Sequence, residues 1–274
     1  ARLTYPPARK RRQTGWILLI LMAAAAFRLV ALGSTPPGMT GVSPGMTAVP
    51  PGMTHDEADH GLTAWAIVNG ARGVYFTVGY GREPLYDYAT ALVMAGTGPT
   101  IFAARLTSAY FSLLMIAAVY AWARRAFGAP VALLSAAGLA VGFWPVMAGR
   151  QALRSIALPA VFALAVLFFW QGLVAETQGR KGEGEKGGKE GRVQERSLSS
   201  FLSLSPYPGL LFLLAGLLLG LSFYTYIPAR VLWLAFPALA VYLALAATPD
   251  ARRGRPIFQG TMLTLVVALL VAAP

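Results

Sequence analysis

The chain contains no cysteine, so it can form no disulfide bond and offers no thiol for catalysis or metal binding. Charged residues make up only 12% of it, whereas hydrophobic residues make up 56% and the mean hydropathy is +0.57. Soluble domains carry about 25% charged residues. The glycine motifs of P-loop and dinucleotide-binding proteins are missing, as is a serine nucleophile elbow. These absences argue against a soluble nucleotide-dependent enzyme or a serine hydrolase.

Long apolar runs take the place of these features. Several reach 18 residues or more, enough for a helix to cross a bilayer core of about 30 Å. The first is long for a signal peptide, and no small-residue cleavage site clearly follows it. We therefore predict an all-α polytopic membrane protein. Its seven expected spans lie near residues 16–33, 99–122, 129–147, 156–174, 208–226, 230–248 and 257–274.

Basic residues predict how the chain is oriented in the membrane. The net charge is +12, and the Lys and Arg residues cluster at the ends of apolar runs rather than forming a nucleic-acid-binding face. A cytoplasmic N-terminus places most of them, including all four lysines, inside, as the positive-inside rule requires. The expected domains are then a cytoplasmic N-terminus (1–15), a first span (16–33), an extracytoplasmic loop (34–98), three spans (99–174), a flexible Gly-rich cytoplasmic linker (175–207) and three further spans (208–274).

The two ends of the sequence predict that it is part of a longer protein. The chain begins with Ala1 rather than Met, and it stops at Pro274 within an apolar run. We interpret it as the N-terminal part of that protein.

The outer loop holds most of the chain's unusual polar chemistry. The segment "THDEADHG" contains both histidines and three of the eleven acidic residues. Thr54 followed by Glu57 has the spacing of a capping box, and Pro84 suits the first turn of a second helix. We therefore predict two short helices on the outer membrane face. Three near-copies of Pro-Gly-Met-Thr in residues 36–54 are interpreted as a local duplication that lengthens the loop.

The adjacent carboxylates of Asp56 and Glu57 need an explanation, because like charges repel. One hypothesis makes Asp56 a general base for an acceptor hydroxyl, a role that needs a single carboxylate. A second hypothesis is that both residues only cap a helix. A third is a Mg²⁺ or Mn²⁺ site. Its candidate ligands are His55, Asp56, Asp59 and His60, although the two histidines are five residues apart and do not share a helix face.

Arginine and tyrosine residues at the predicted outer boundaries form a second group of candidates. Arginine suits phosphate because its charge is permanent and its N–H groups form a fork. We predict substrate binding by Glu83, Arg150, Arg154, Tyr224, Tyr226 and Arg230. The alternative is that these residues anchor helix ends at the membrane surface. Arg28 and Arg105, near the ends of spans, are expected to reach the membrane surface or to pair with the loop's carboxylates.

The order of these features resembles the membrane glycosyltransferases of the GT-C fold. The similarity is greatest to the protein O-mannosyltransferase-like family, which includes bacterial lipid A aminoarabinose transferases. It is carried by "THDEADHG", "GREPLYDYATALVMAGTGPTIFAARLTSAYFSLL", "GRQALRSIALP" and "GLSFYTYIPAR". One departure is that many relatives have an acidic residue between the third and fourth spans, where this chain has "GRQALRS".

The resemblance implies a function and a location. A sugar would pass from a polyprenyl-phosphate to a hydroxyl of a glycan, lipid or protein, with inversion, at the outer face of a bacterial inner membrane. Asp56 would be the base, Glu57 its partner, and the outer arginines would hold the lipid phosphate. Two alternatives stay open. One is a transporter or flippase of lipid-linked saccharides, which would need polar residues deep in its spans. The other is a non-catalytic membrane scaffold.

Overall fold

Helices form nearly all of the secondary structure in the computed structural model, which describes residues 7–34, 52–77, 81–186, 207–246 and 251–273. This confirms the predicted all-α class. Contacts divide the chain into two units, Ala1–Ala163 with Ser222–Ala229, and Leu164–Leu221 with Arg230–Pro274. The helices are α1 (Pro7–Leu29), α2 (His55–Val68), α3 (Leu85–Thr97), α4 (Ile101–Ala126), α5 (Ala129–Val141), α6 (Phe143–Ala148), α7 (Ala157–Lys186), α8 (Pro208–Ser222), α9 (Ala229–Leu232), α10 (Ala235–Ala246) and α11 (Ala251–Ala272).

Three helical stretches are long and apolar enough to cross a membrane, namely Arg12–Leu29, Ile101–Ala126 and Arg154–Glu176. Four shorter apolar helices fall on the other predicted spans. Every predicted span thus coincides with helical structure, and the total of seven crossings stays a prediction. Within the described residues, only three apolar helical stretches reach the length of a full crossing, and two of the four shorter ones are short because the expected span is interrupted. The third is broken at Gly142, and the sixth has a turn between α9 and α10.

The predicted span 129–147 is wrong as one continuous helix. Gly142, with φ −60° and ψ 139°, is extended and separates α5 from α6. Pro145 explains the break, because it has no N–H to donate to the carbonyl of Val141 and its ring would clash there. The last carbonyls of α5 consequently need other donors.

Arg28 of α1 supplies those donors from inside the first unit. It is fully buried, and its Nη1 and Nη2 donate to the carbonyls of Ala140 (3.0 Å) and Leu139 (2.9 Å). Its Nε donates to Ser112 Oγ at 2.7 Å. The expectation that Arg28 extends to the membrane surface or pairs with an acidic residue of the loop is therefore wrong. Its guanidinium supplies hydrogen-bond donors to the last carbonyls of α5.

Both short helices predicted in the outer loop are present, as α2 and α3. Thr54 Oγ1 accepts from Glu57 N–H, and Glu57 Oε2 accepts from Thr54 N–H at 2.9 Å, which completes the capping box. Pro84 occupies the N-cap of α3, one position before the predicted place. The two helices pack on α4 through small residues, which allow close approach, and bury a cluster of Ala64, Ile67, Ala91, Met94, Ala103, Ala104 and Ala152.

Helix α7 continues to Lys186, so the predicted linker 175–207 is corrected over its first part. The rest of the linker lies outside the described residues apart from Tyr207. The Pro-Gly-Met-Thr repeats lie outside them as well, apart from their last three residues, 52–54.

The second unit is held by close helix packing. Gly216 and Gly220 of α8 face α11, where an added Cβ would lie 2.6 Å from Thr264 O or from Val271 Cβ. Glycines four residues apart let two helices approach closely, as is common in membranes. Phe169 of α7 packs edge-on against aromatic rings of α8 and α10.

Candidate functional site

A polar cavity opens in the first unit beside the first two turns of α2. Its volume is about 290 Å³, and it lies between α2, the segment before α3, the short turn before α7 and the segment that follows α8. Its lining is mostly charged or aromatic, unlike the rest of this apolar chain. The lining residues are His55, Asp56, Asp59, His60, Gly81, Arg82, Leu153, Arg154, Ser155 and Tyr226.

Asp56 presents an exposed carboxylate at this cavity. It lies in the first turn of α2, where the helix dipole favours a negative charge. Within the described part of the chain, nothing donates a hydrogen bond to it. A carboxylate that keeps all its acceptor sites open beside a cavity is available to a ligand hydroxyl.

Glu57, the next residue, points the other way, as expected for side chains about 100° apart around a helix. It is 0% exposed. Arg105 of α4 donates through Nε to Oε1 (2.8 Å) and through Nη2 to Oε2 (3.1 Å). The Ala152 N–H donates to Oε1 at 2.9 Å. The carboxylate therefore joins α2, α4 and the segment before α7, and it does not line the cavity. The predicted pairing of Arg105 with a loop carboxylate is confirmed.

The electrostatics of Glu57 follow from these bonds. Burial alone would raise the pKa of its carboxyl group, but hydrogen bonds from Arg105, Thr54 and Ala152, together with the charge of Arg105, outweigh it. The net result is a lowered pKa. Glu57 therefore stays ionised as an ion-pair partner. In this geometry it does not have the open acceptor sites of a proton-transfer group.

Short polar contacts beside the cavity connect four side chains, namely Asp59, Arg82, His60 and Asp87. Arg82 Nη2 donates to Asp59 Oδ2 at 3.1 Å, and Arg82 Nη1 lies 3.2 Å from His60 Nδ1. Nδ1 of His60 is also 2.6 Å from Asp87 Oδ1 of α3. The backbone of Arg82 is fixed by two hydrogen bonds to Phe76, which position its side chain over α2.

The four predicted metal ligands do not form a coordination site. Asp59 is bonded to Arg82, and His60 is bonded to Asp87 through Nδ1. His55 is largely exposed, and its Nδ1 is 3.8 Å from Asp59. Across the described residues, no group of three or more His, Cys, Asp or Glu side chains could hold a metal ion. The residues present therefore do not fit a Mg²⁺ or Mn²⁺ site.

Arg154 gives the cavity a cation on the side formed by the turn before α7. Its Nη1 donates to Glu83 Oε2 at 2.7 Å, and its guanidinium lies 5.5 Å from the centre of the Tyr226 ring. The side chain is partly exposed to the cavity, whereas Glu83 is buried. Arg154 and Tyr226 thus line the cavity, and Glu83 accepts a hydrogen bond from Arg154. Their roles in substrate binding stay predictions.

The other predicted binding residues are placed elsewhere. Arg150 donates to the carbonyls of Phe27 (2.7 Å) and Val30 (2.9 Å), at the end of α1, and does not line the cavity. Burial and the charge of Arg105 lower its pKa. The backbone carbonyl of Tyr224 accepts from Leu85 N–H at 3.0 Å, which ties the segment after α8 to α3. Arg230 belongs to the second unit.

Three site residues were not among the sequence predictions, namely Arg82, Asp87 and Ser155. Arg82 and Asp87 flank Glu83 in "GREPLYDY", so the density of charge there was an available signal. The pairing of Asp87 with His60 spans 27 residues and depends on how α2 packs against α3. No spacing rule within one helix could have indicated it. Ser155 gave no signal beyond its position next to Arg154.

Comparisons with known proteins agree with this architecture. Residues 82–180 match the sequence model of a family described as dolichyl-phosphate-mannose-protein mannosyltransferase. No curated protein matches the chain at a significant level. Among solved structures, it is similar to the archaeal oligosaccharyltransferase AglB from Archaeoglobus fulgidus, in complex with an inhibitory peptide and a dolichol-phosphate. The TM-score is 0.63 and the identity 14%, and the match covers 97% of this chain and 29% of AglB.

These similarities confirm the predicted GT-C fold and the resemblance to GT-C glycosyltransferases. The apolar helices and the family match also support an integral membrane protein. The matched residues begin at Arg82 and include Arg154, but they do not include α2. The roles of the α2 side chains therefore rest on their geometry.

Proposed function

We propose, on the premise of this GT-C membrane fold, that the protein transfers a sugar from a polyprenyl-phosphate to an acceptor hydroxyl. The reaction would take place at the extracytoplasmic face of a bacterial inner membrane, with the N-terminus in the cytoplasm. One observation carries the proposal. The cavity beside α2 contains both a carboxylate without a hydrogen-bond donor among the described residues, Asp56, and a partly exposed guanidinium, Arg154. A base and an anion-binding group are the two components that this displacement requires.

Asp56 is the proposed base. It accepts the proton of the acceptor hydroxyl, and the oxygen attacks the anomeric carbon of the sugar. The bond from that carbon to the phosphate oxygen breaks, and its electron pair leaves with the lipid phosphate. A single displacement of this kind inverts the anomeric configuration. Asp56 suits the role because its carboxylate is exposed and engages no protein donor within the described residues.

Arg154 is the proposed phosphate-binding residue. Glu83 accepts from one terminal nitrogen of its guanidinium, which fixes the side chain and leaves other N–H groups for a ligand. The Tyr226 ring beneath it restricts it further. A cation held in this way stabilises the charge that develops on the leaving phosphate without first having to reorganise. Arg150 has a different proposed task, since its N–H groups hold the end of α1.

Glu57 is proposed to position the site rather than to react. It connects α2, which carries Asp56, to Ala152, two residues before Arg154. It thereby fixes the distance between base and cation. The remaining predicted binding residues, Tyr224 and Arg230, stay proposals for the lipid-linked donor. The acceptor, whether a glycan, a lipid or a protein, would be recognised by residues outside this cavity.

The proposal is tested by following radiolabelled sugar from polyprenyl-phosphate donors in membranes that carry the protein. We expect Asp56→Asn to lower transfer by about 10²–10⁴-fold, the usual contribution of a general base. Arg154→Gln should also lower it, whereas Arg124→Gln, a matched change at an exposed arginine in the last turn of α4, should not. Expression and melting temperature in detergent serve as folding controls.

Two outcomes would contradict the proposal. Wild-type transfer by Asp56→Asn would remove Asp56 as the base and leave it only its place in the first turn of α2. If the folded wild-type protein transfers no sugar, but moves lipid-linked saccharides across vesicle membranes, the protein is a transporter. Against the transporter, the buried arginines of the apolar helices α1 and α4, Arg28 and Arg105, are engaged by Ser112, Glu57 and backbone carbonyls.

A further inference from the structure

A buried histidine–carboxylate pair lies beside the proposed base and has no part in the reaction described so far. His60 is 4% exposed and Asp87 is 0% exposed, and Nδ1 of the ring is 2.6 Å from Asp87 Oδ1. His60 nevertheless lines the cavity. The pair joins α2 to α3. The rings of Tyr86 and His60 pack edge to face, with 5.1 Å between their centroids.

Hydrogen bonding fixes which nitrogen faces a ligand. An ionised Asp87 can only accept, so the short contact places the proton on Nδ1, which then cannot also accept from Arg82. The other nitrogen, Nε2, is then the acceptor of a neutral ring. Among the described residues it has no protein partner. A carboxylate that holds Nδ1–H in this way orients an imidazole and stabilises the imidazolium that forms when Nε2 takes a proton.

The charges around the pair favour such a proton transfer. Asp87 Oδ2 is buried and has no hydrogen-bond partner within the described chain, so this carboxylate is incompletely compensated. Arg82 is paired with Asp59, so among the described residues His60 is the one group that could supply Asp87 with a positive charge. A proton on His60 would bring this buried group to charge balance. The charged or titratable groups around the ring are Asp56, Asp59 and His55 on α2, Tyr86 and Asp87 on α3, and Arg82, Arg154 and Tyr226 from the other walls.

His60 is also one helical turn from Asp56. Residues four apart on a helix lie on the same face, with Cβ atoms about 5–6 Å apart. An imidazole is ordinarily more basic than a carboxylate, so the transfer of a proton from Asp56 to His60 is thermodynamically favourable.

We propose that the His60–Asp87 pair is the proton sink of the transferase, receiving through Nε2 the proton that Asp56 takes from the acceptor hydroxyl. The inference rests on the proposed function. The hydroxyl O–H bond breaks and the proton passes to an Asp56 oxygen. It then moves to Nε2 of His60, which restores Asp56 as a carboxylate. The imidazolium loses the proton to water after the products leave. His60 is the catalytic group of this step, and Asp87 is a positioning residue.

The test compares His60→Gln and Asp87→Asn with Arg124→Gln, a change at an exposed arginine of α4 that does not line the cavity. Transfer is measured with a radiolabelled polyprenyl-phosphate sugar as a function of pH. Wild-type transfer should fall on the acid side, where His60 already carries a proton. His60→Gln should lower kcat by about 10–100-fold and remove that acid limb, with KM little changed. Arg124→Gln should keep both the wild-type kcat and the acid limb.

Asp87→Asn supplies a readout that a purely structural role would not change. The imidazolium loses its carboxylate, so His60 remains neutral to lower pH and the acid limb should move to lower pH. An unmoved limb in this variant overturns the inference. It also decides the question if His60→Gln fails to accumulate in membranes. Normal kcat in a folded His60→Gln overturns the inference and leaves the proposed function intact. Absence of transfer by the folded wild-type protein overturns both.

Discussion

The two sides of helix α2 use neighbouring carboxylates in opposite ways. On the inner side, Glu57 is closed in by Arg105, Ala152 and its own N-cap residue, and it has no contact with the cavity. On the cavity side, Asp56 is exposed and unpartnered within the described residues, with His60 one turn further along. One helix therefore separates a structural carboxylate from a chemically available one. The difference depends on direction around the helix and not on residue type.

The largest expected effect comes from removing the ion pair between Arg105 and Glu57 on the inner side of α2. Arg105→Ala leaves the buried carboxylate of Glu57 without its cation, and removing one partner of a buried pair costs about 3–5 kcal/mol. We expect a strongly lowered melting temperature in detergent and poor accumulation in membranes. Asp56→Asn, the matched change on the cavity side, should leave the melting temperature unchanged. Equal stability of the two variants would show that the inner ion pair does not support the fold.

The next prediction concerns how the stability contributed by Glu57 depends on pH. Because the pKa of folded Glu57 is lowered from its ordinary value of 4.5, its ionised form contributes stability above that value. The contribution is lost as the pH falls through the lowered pKa of the folded state. Glu57→Gln should therefore be less stable than wild type at neutral pH, and the two curves should converge in acid. Melting temperatures recorded from neutral pH to below 4.5 test this. A constant difference across that range would contradict it.

The smallest effect is expected at the cap that begins the helix. Thr54→Ala removes the hydroxyl that accepts from the Glu57 N–H, and losing such a cap typically costs about 1 kcal/mol. Thr54→Ser keeps the acceptor and is the matched control. The melting temperature of Thr54→Ala should fall modestly, with that of Thr54→Ser close to wild type. A loss as large as that of Arg105→Ala would mean that the cap, and not the ion pair, holds Glu57.

Local rules made much of the architecture predictable. Hydropathy located the apolar helices, and the spacing of Thr54 and Glu57 predicted the capping box that begins α2. The same spacing placed Asp56 in the first turn of α2, while its choice as the proposed base came from the two adjacent carboxylates and from the family resemblance. Pro145 also had a readable consequence, because it ends α5 early. Each of these signals lies within a few residues of the feature that it determines.

The rest of the site depends on packing between distant segments. Glu57 meets Arg105 and Ala152 only because α2 lies across α4. The contact of His60 with Asp87 likewise needs the observed approach of α2 and α3. A single sequence gives the residue types but not these approaches. For this reason the outer arginines looked equivalent from the sequence, whereas Arg154 lines the cavity and Arg150 closes α1.

The single bond from the Ala152 N–H to Glu57 has a consequence for genetics. A screen for loss-of-function alleles would recover substitutions at residue 57 together with those at residue 56, and the two would look like one catalytic motif. Their suppressors should differ. Second-site changes that stiffen the segment around Ala152 should restore function to weak alleles of residue 57, because these alleles misplace the wall that carries Arg154. No such change should rescue an allele of residue 56.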